Sequence, residues 1–279
     1  MRGSTPGVER QAAFGPRHCA VAGAWHAELL PRSPYQATYT AGTPIVGFAF
    51  DGQAGVHAFG SDRKLDFRAK PNGLAFVPAG CDVYSQSDHG GEYLKITFSQ
   101  ARSEHWTSAP RFSDVIDAAA IDAAQRLRRE LLAGDHIDTL QCERFVLALK
   151  ARAASVLGGT TGESPASSWM TPRRLRLVDD LIEARLDTKL TVQDLAAALG
   201  LSAGFFRRAF RAAIGKAPHD YLIDRRVARA RALLERAALD LSAIAHASGF
   251  ASHAHMTATF RQRLGVTPSA LRGVKRARS

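Results

Sequence analysis

Gly200-Leu201-Ser202-Ala203-Gly204-Phe205-Phe206-Arg207-Arg208-Ala209-Phe210 and, further on, Gly249-Phe250-Ala251-Ser252-His253-Ala254-His255-Met256-Thr257-Ala258-Thr259-Phe260 are two versions of one unit. Phe206, Phe210, Gly215 and Pro218 recur 50 residues later as Met256, Phe260, Gly265 and Pro268, whereas Gly200 and Gly249 lie 49 apart. One residue near Ala251 is therefore extra in the second copy. Each copy reads as two short helices joined by a tight turn. In the first, Val192, Leu195, Ala196 and Leu199 share a helical face, Gly200 supplies a left-handed turn residue, and Ser202 is placed to cap the next helix. That helix keeps Phe206, Phe210 and Ile214 on one side and ends at Gly215, with Pro218 stopping continuation. In the second copy Ile244, Ala245 and Ala247, then Met256, Phe260 and Leu264, take these places, ending at Gly265 and Pro268. The pattern is that of a helix-turn-helix, which presents its second helix to the DNA major groove.

The charge agrees with a polyanion partner. The chain of 279 residues has a net charge of +11, and from Met170 to Ser279 it holds 20 Lys plus Arg against 9 Asp plus Glu, which accounts for all of the excess. The remaining residues hold 17 of each sign. A neutral half joined to a half carrying the whole surplus reads as a nucleic-acid-binding module attached to something else. The length suffices for two domains, each with its own core. No apolar run is long enough to span a membrane and the start lacks a signal-peptide pattern, so a cytoplasmic, soluble protein is expected.

Tyr221-Leu222, Arg226-Val227, Ala230, Leu233-Leu234, Ile244-Ala245, Gly249-Phe250, Phe260, Gly265 and Thr267-Pro268 together resemble the C-terminal signature of AraC/XylS-type transcription regulators. The resemblance covers about a hundred residues, roughly 171–272. It implies a bipartite α+β protein, with an N-terminal antiparallel cupin-like β-barrel and supporting helices, then an all-α double helix-turn-helix domain. It also implies double-stranded DNA, a small-molecule effector and RNA polymerase as partners, with a homodimer allowed.

Outward positions of the first reading helix are Ala203, Gly204, Arg207, Arg208 and Arg211. Arginine suits guanine because its planar fork donates to O6 and N7 together, worth ~1 to 3 kcal/mol of discrimination. By match to the family motif, Arg208 is the preferred base reader and Arg207 the next, with Arg211 a phosphate contact. The second helix departs from the family, in which a basic residue often stands where this chain has Ala258. Its outward positions are His253, Ala254, His255 and Thr257, with Arg261 beyond, and His253 and Thr257 are its expected readers. A long helix from Tyr221 to Ala237 joins the copies and would hold the reading helices about one DNA turn, ~34 Å, apart. Its Arg225, Arg226, Arg229 and Arg231 are expected on a solvated face or in internal pairs, with Arg226 partly structural by the resemblance.

Upstream, residues 1–20 read as a loose lead-in. From Trp25 to Phe98 short apolar runs, among them Ile45 to Phe50, Leu74 to Val77 and Tyr93 to Phe98, alternate with Gly, Pro and Asn, predicting an antiparallel sandwich or barrel. Pro71-Asn72-Gly73-Leu74-Ala75-Phe76-Val77-Pro78-Ala79-Gly80 resembles the turn, strand and turn of the family's cupin-like sensors. Trp25, Phe48, Phe67 and Tyr84 are large enough to line a pocket, with ordinary core as the simpler reading. From Phe112 to Leu157 helical stripes follow, Val115, Ile116, Ala119, Ala123, Leu127, Leu131 and Leu132, broken at Gly134-Asp135, then Leu140, Phe145, Leu149 and Val156. They permit dimerisation or packing on the sheet. The expected domains are a sensor over 21–157, a flexible linker over 158–169, the DNA-binding domain over 170–272, and a trailing basic tail over 273–279.

Catalysis finds little support. His57 and His89 are isolated, and His253 and His255, two apart on a helix, point to different faces, so no metal or other cofactor is expected. Cys19, Cys81 and Cys142 are odd in number and widely spaced, the pattern of reduced thiols. A cupin-type metalloenzyme with an accessory DNA-binding module is the alternative reading, and a non-specific nucleic-acid binder is the third.

Overall fold

The computed structural model describes residues 17–99, 106, 109–133, 137–159, 167–236 and 239–276. The chain divides into two compact units, Met1–Thr161 and Gly162–Ser279.

The described residues of the first unit form two antiparallel sheets, with helices packed against one of them. A six-stranded sheet has the order β1 (Arg17–Val21), β2 (Trp25–Leu30), β9 (Tyr93–Phe98), β4 (Ile45–Ala49), β7 (Gly73–Val77) and β10 (Phe112–Ile116). A four-stranded sheet has the order β3 (Tyr35–Thr40), β8 (Asp82–Ser87), β5 (Gln53–Phe59) and β6 (Leu65–Ala69). Antiparallel strands are present as expected, but they pair as two open sheets and do not close into one barrel. β1 begins inside the stretch expected to be a lead-in; residues 1–16 of that stretch lie outside the described residues.

Alternation sorts the six-stranded sheet into two faces. Leu74, Phe76, Leu94, Ile96 and Phe98 are buried on one face. Helices α1 (Ala118–Leu132) and α2 (Thr139–Leu157) pack on each other and against β1, and α2 also lies against β4 and β7. Ala120, Ile121, Ala124, Leu127 and Leu131 of α1, and Cys142, Val146, Leu149 and Ala153 of α2, supply the buried stripes. Asp117 and Asp138 cap these helices through their side chains, Asp117 accepting from the Ala120 N–H at 2.8 Å.

The expectation of helix from Phe112 fails over its first five residues. Phe112 pairs with Phe76 and Val115 with Leu74, making an edge strand whose register shifts between them. Asp114 sits there with a φ of 61°, and this irregularity removes the alternation by which a strand is recognised. The Gly134-Asp135 break falls outside the described residues.

On the other face, Tyr93, Lys95 and Asp114 look toward Tyr35, Tyr39, His57, Phe59 and Phe67 of the four-stranded sheet, and all of these are only half-buried. The Lys95 ammonium lies 4.9 Å from the Tyr39 ring centre, and His57 stacks on Phe67 at 4.7 Å. Burial raises the Asp114 and Tyr93 pKa values and, with Arg111, lowers that of His57. Trp25 and Phe48 are ordinary core, Phe67 faces the space between the sheets, and Tyr84 lies on the outer face under Lys64. Cys19, Cys81 and Cys142 are free thiols, and burial pushes that of Cys142 up.

Candidate nucleic-acid interface

The second unit is helical. A single 3-10 turn, Ser167–Trp169, precedes α3 (Pro172–Ala184), α4 (Val192–Ala198), α5 (Ala203–Ile214), α6 (Pro218–Arg236), α7 (Leu241–Ala247), α8 (His253–Leu264) and α9 (Pro268–Arg276). Residues 160–166 of the expected linker lie outside the described residues. The expected trailing tail is helical as far as Arg276, because α9 runs on from Pro268; residues 277–279 lie outside the described residues.

The repeat read in the sequence is a repeat of structure. Thr191 and Asp194 form a reciprocal capping box at the start of α4, and the Asp240 carboxylate caps α7. Gly200 and Gly249 turn the chain at φ of 66° and 79°. Leu201 N–H and Phe250 N–H then bond back to the Ala196 and Ala245 carbonyls, so these two residues correspond at a separation of 49 and Ala251, which is exposed, is the extra one. Ser202 caps α5 by accepting from Phe205 N–H, and Ser252 caps α8 by accepting from His255 N–H. Both helices end at left-handed glycines, Gly215 and Gly265.

Below each reading helix lies its core. Phe206, Phe210 and Ile214 are buried with Val178, Ile182, Leu186 and Leu195, and Phe210 meets Tyr221 with ring centres 5.4 Å apart. Met256, Phe260 and Leu264 are buried at the equivalent places of α8. A buried Phe or Leu contributes roughly 1.5 to 3 kcal/mol, so each helix is held on its inner side and turns its outer side to solvent.

The arginines divide into two sets. Arg225 pairs with Glu183, Arg226 donates to the Leu186 and Thr188 carbonyls at 3.2 and 3.0 Å, and Arg263 pairs with Asp220 at 2.5 Å. These contacts tie α6 to the end of α3 on one side and to α8 on the other; burial lowers the pKa of Arg226. Arg272 donates to the Leu239 carbonyl. Arg207, Arg208, Arg211 and Arg261 are exposed, and among the described residues none of them pairs with a carboxylate. Their desolvation by a phosphate or a base edge would break no ion pair within the fold.

Of the positions read from the sequence, Gly204, Arg207, Arg208 and Arg211 form the exposed side of α5, with Ala203 half-buried at its start. On α8, Ala254 and Arg261 are exposed, but His253 and Thr257 are half-buried, with Nε2 and Oγ1 shielded from solvent and unbonded to the protein. These two are the readers expected from the sequence, and in this structure one ring nitrogen of His253 and the Thr257 hydroxyl oxygen face away from solvent. Ala258 is exposed where Arg208 stands in the first copy, and His255 is exposed with its ring edge-on to Phe250 at 5.5 Å. Sequence spacing put both copies in one frame with Met256, Phe260 and Leu264 toward the core; that Nε2 of His253 and Oγ1 of Thr257 are also shielded was not readable from it.

Two capped helix-turn-helix units joined by one helix and carrying unpaired arginines on both second helices make a double helix-turn-helix DNA-binding domain. Residues 195–273 match a family model described as a helix-turn-helix domain. The chain is 30% identical over 93 residues to the "Probable transcriptional regulator LumQ" of Photobacterium leiognathi, covering 33% of this chain and 38% of LumQ. It is 25% identical over 141 residues to the regulator ExsA of Pseudomonas aeruginosa, covering 50% of each. In its C-terminal domain the chain is similar to AraC/XylS-type regulators. Among solved structures it is similar to the DNA-binding domain of AdpA in complex with a target DNA, at 35% identity and a TM-score of 0.36, covering 38% of this chain and 94% of that one. ToxT from Vibrio cholerae O395 gives 11% identity and a TM-score of 0.36, covering 90% and 97%. The matched part spans no more than half the length of LumQ or ExsA.

Proposed function

We propose that the chain is a sequence-specific transcription regulator whose C-terminal domain binds an asymmetric stretch of double-stranded DNA. The observation that supports this most is the division of the arginines: Arg225, Arg226 and Arg263 are engaged within the fold, while Arg207, Arg208 and Arg211 on α5 and Arg261 on α8 lie exposed, Arg211 and Arg261 at matching places of the two equivalent helices. A merely electrostatic binder would not need two capped, packed helices displaying a few side chains each. Arg208 reads guanine, Arg207 assists, and Arg211 and Arg261 hold phosphates. Gly204 and Ala254 let the backbone come close at the helix starts.

The first unit, over 21–157, is a cupin-like sensor, joined through 158–169 to the DNA-binding domain over 170–272. Its effector is a small molecule received between the two sheets, where side chains facing inward keep access to solvent while the opposite face is fully buried. The effector shifts an equilibrium between DNA-binding states by its differential affinity for them, changing operator binding or contact with RNA polymerase. α2 offers a homodimer surface, since Leu140 and Leu147 are 73% and 50% exposed one heptad apart. Location is cytoplasmic; among the described residues no helix is long and apolar enough to cross a membrane. The metalloenzyme alternative has no support from the relatives compared, which are named as regulators.

The deciding measurement is fluorescence anisotropy of the full chain on a duplex selected from a random pool, against a scrambled duplex at the same salt. Preference of at least about a thousandfold is expected of a specific site. Equal affinity for both duplexes would refute the reading.

A further inference from the structure

The two reading helices carry different chemistry at matching positions. Along the exposed side of α5 run Gly204, Arg208 and Arg211; along α8 the corresponding residues are Ala254, Ala258 and Arg261. Position 207 is an exposed arginine, whereas Thr257 is half-buried with its hydroxyl oxygen shielded. His253 likewise keeps Nε2 out of solvent, and His255, although exposed, lies a third of a turn away from Ala254, against Phe250. The leading half of α8 therefore presents two methyl groups, Ala254 and Ala258, where α5 presents Gly204 and Arg208, and Arg261 follows two turns after Ala254.

We infer that the half-site under α8 is read through thymine C5 methyl groups by Ala254 and Ala258, while the half-site under α5 is read through guanine by Arg208. The inference rests on the proposed regulator function and adds its specificity. In the major groove, guanine and adenine present acceptors, cytosine and adenine present amino donors, and thymine alone presents a methyl group beside its O4. An alanine methyl pressed on an amino or carbonyl edge strips it of water and returns no hydrogen bond, which is unfavourable. Pressed on a thymine methyl, it removes apolar surface from water on both sides. A surface of two alanines thus discriminates by what it fails to satisfy as much as by what it buries. The composite site is asymmetric: guanine-dependent in one half, thymine-dependent in the other.

The test uses the full-length chain and a duplex selected from a random pool. Arg208→Ala identifies the α5 half as the one where guanine preference is lost. Each thymine of the other half is then replaced by uracil, which removes only the C5 methyl, and affinity is read by anisotropy at fixed salt. One or two positions are expected to lose about threefold to fourfold each, the scale of one buried methyl group. In Ala258→Gly, thymine and uracil should bind alike at one of those positions, with helical content checked by circular dichroism. The uracil scan on the wild-type chain decides the question even where that variant misfolds. Uracil without effect throughout the α8 half, or selection of guanine there, overturns the inference while the α5 half remains specific. A pool that yields no preferred sequence in either half overturns the regulator reading itself, so the two failures are distinct.

Discussion

Gly249 lies against the carbonyl oxygen of Leu186, so close that a Cβ on residue 249 would stand 1.9 Å from it and 2.8 Å from Arg226 Nε. The turn of the second helix-turn-helix is thereby seated on the chain leaving α3, which belongs to the first. Arg226 closes the same junction by donating to Leu186 and Thr188. Gly249→Ala meets both this contact and a φ of 79°, and is expected to destabilise the domain by roughly 2 to 3 kcal/mol. Thermal unfolding measures that loss, and unchanged melting would show the junction to be adjustable.

Arg226→Lys keeps a cation but not two well-aligned donors. With one ammonium the Leu186 and Thr188 carbonyls cannot both be held in the same geometry. Binding to the composite duplex should weaken, while affinity for random DNA at the same salt stays within about twofold, because the outward arginines are untouched. Equal loss on both duplexes would mean that Arg226 acts on phosphates.

Arg261→Ala and Arg263→Ala separate the two arginine sets on one helix. Arg261 is exposed, so its loss should weaken binding evenly across sequences and reduce the salt dependence by about one unit of slope, with stability unchanged. Arg263 is paired with Asp220, so its loss should lower the melting temperature instead. Anisotropy at several salt concentrations, beside a thermal melt of each variant, checks both outcomes.

Asp117 caps α1 and holds Arg152 at 2.6 Å, bracing the two helices of the first unit. Burial alone would raise its pKa, but Arg152 and the Ala120 N–H outweigh it and hold the carboxyl below its ordinary value. A depressed folded pKa gives stability that is present above the unfolded value of about 3.9 and is lost as pH falls through the folded value. Asp117→Asn should therefore flatten the acid limb of unfolding below about pH 4 and cost roughly 1 to 3 kcal/mol at pH 7. Fluorescence-monitored urea unfolding across pH measures this, and parallel curves for wild type and variant would contradict it.

Leu147→Asp places a charge at the centre of the exposed face of α2. If that face joins two copies, the variant should sediment as a monomer under conditions where the wild type does not, with unchanged folding, since Leu147 is half exposed in the single chain. Sedimentation equilibrium reads the difference, and identical masses would remove α2 as the dimer surface.

The helix-turn-helix repeat was legible because its signals are local: a capping serine, a left-handed glycine and an apolar residue every three or four positions are set by backbone sterics and helical period. The strands from Tyr35 to Phe98 were legible for the same kind of reason, since Leu94, Ile96 and Phe98 alternate with Tyr93, Lys95 and Thr97, and burial follows that alternation. β10 was not legible, because Asp114 interrupts its alternation and its pairing with β7 joins residues 36 to 43 positions apart.

From its sequence alone this protein is determined to be bipartite, with the surplus positive charge in a duplicated helical unit, since charge, period and caps are properties of neighbouring residues. Only the tertiary structure decided which arginines are occupied within the fold and which are offered outward. It also decided that Nε2 of His253 and Oγ1 of Thr257 are shielded while Ala258 faces solvent. Those facts depend on what packs against each helix from distant parts of the chain, and residue spacing does not carry that information.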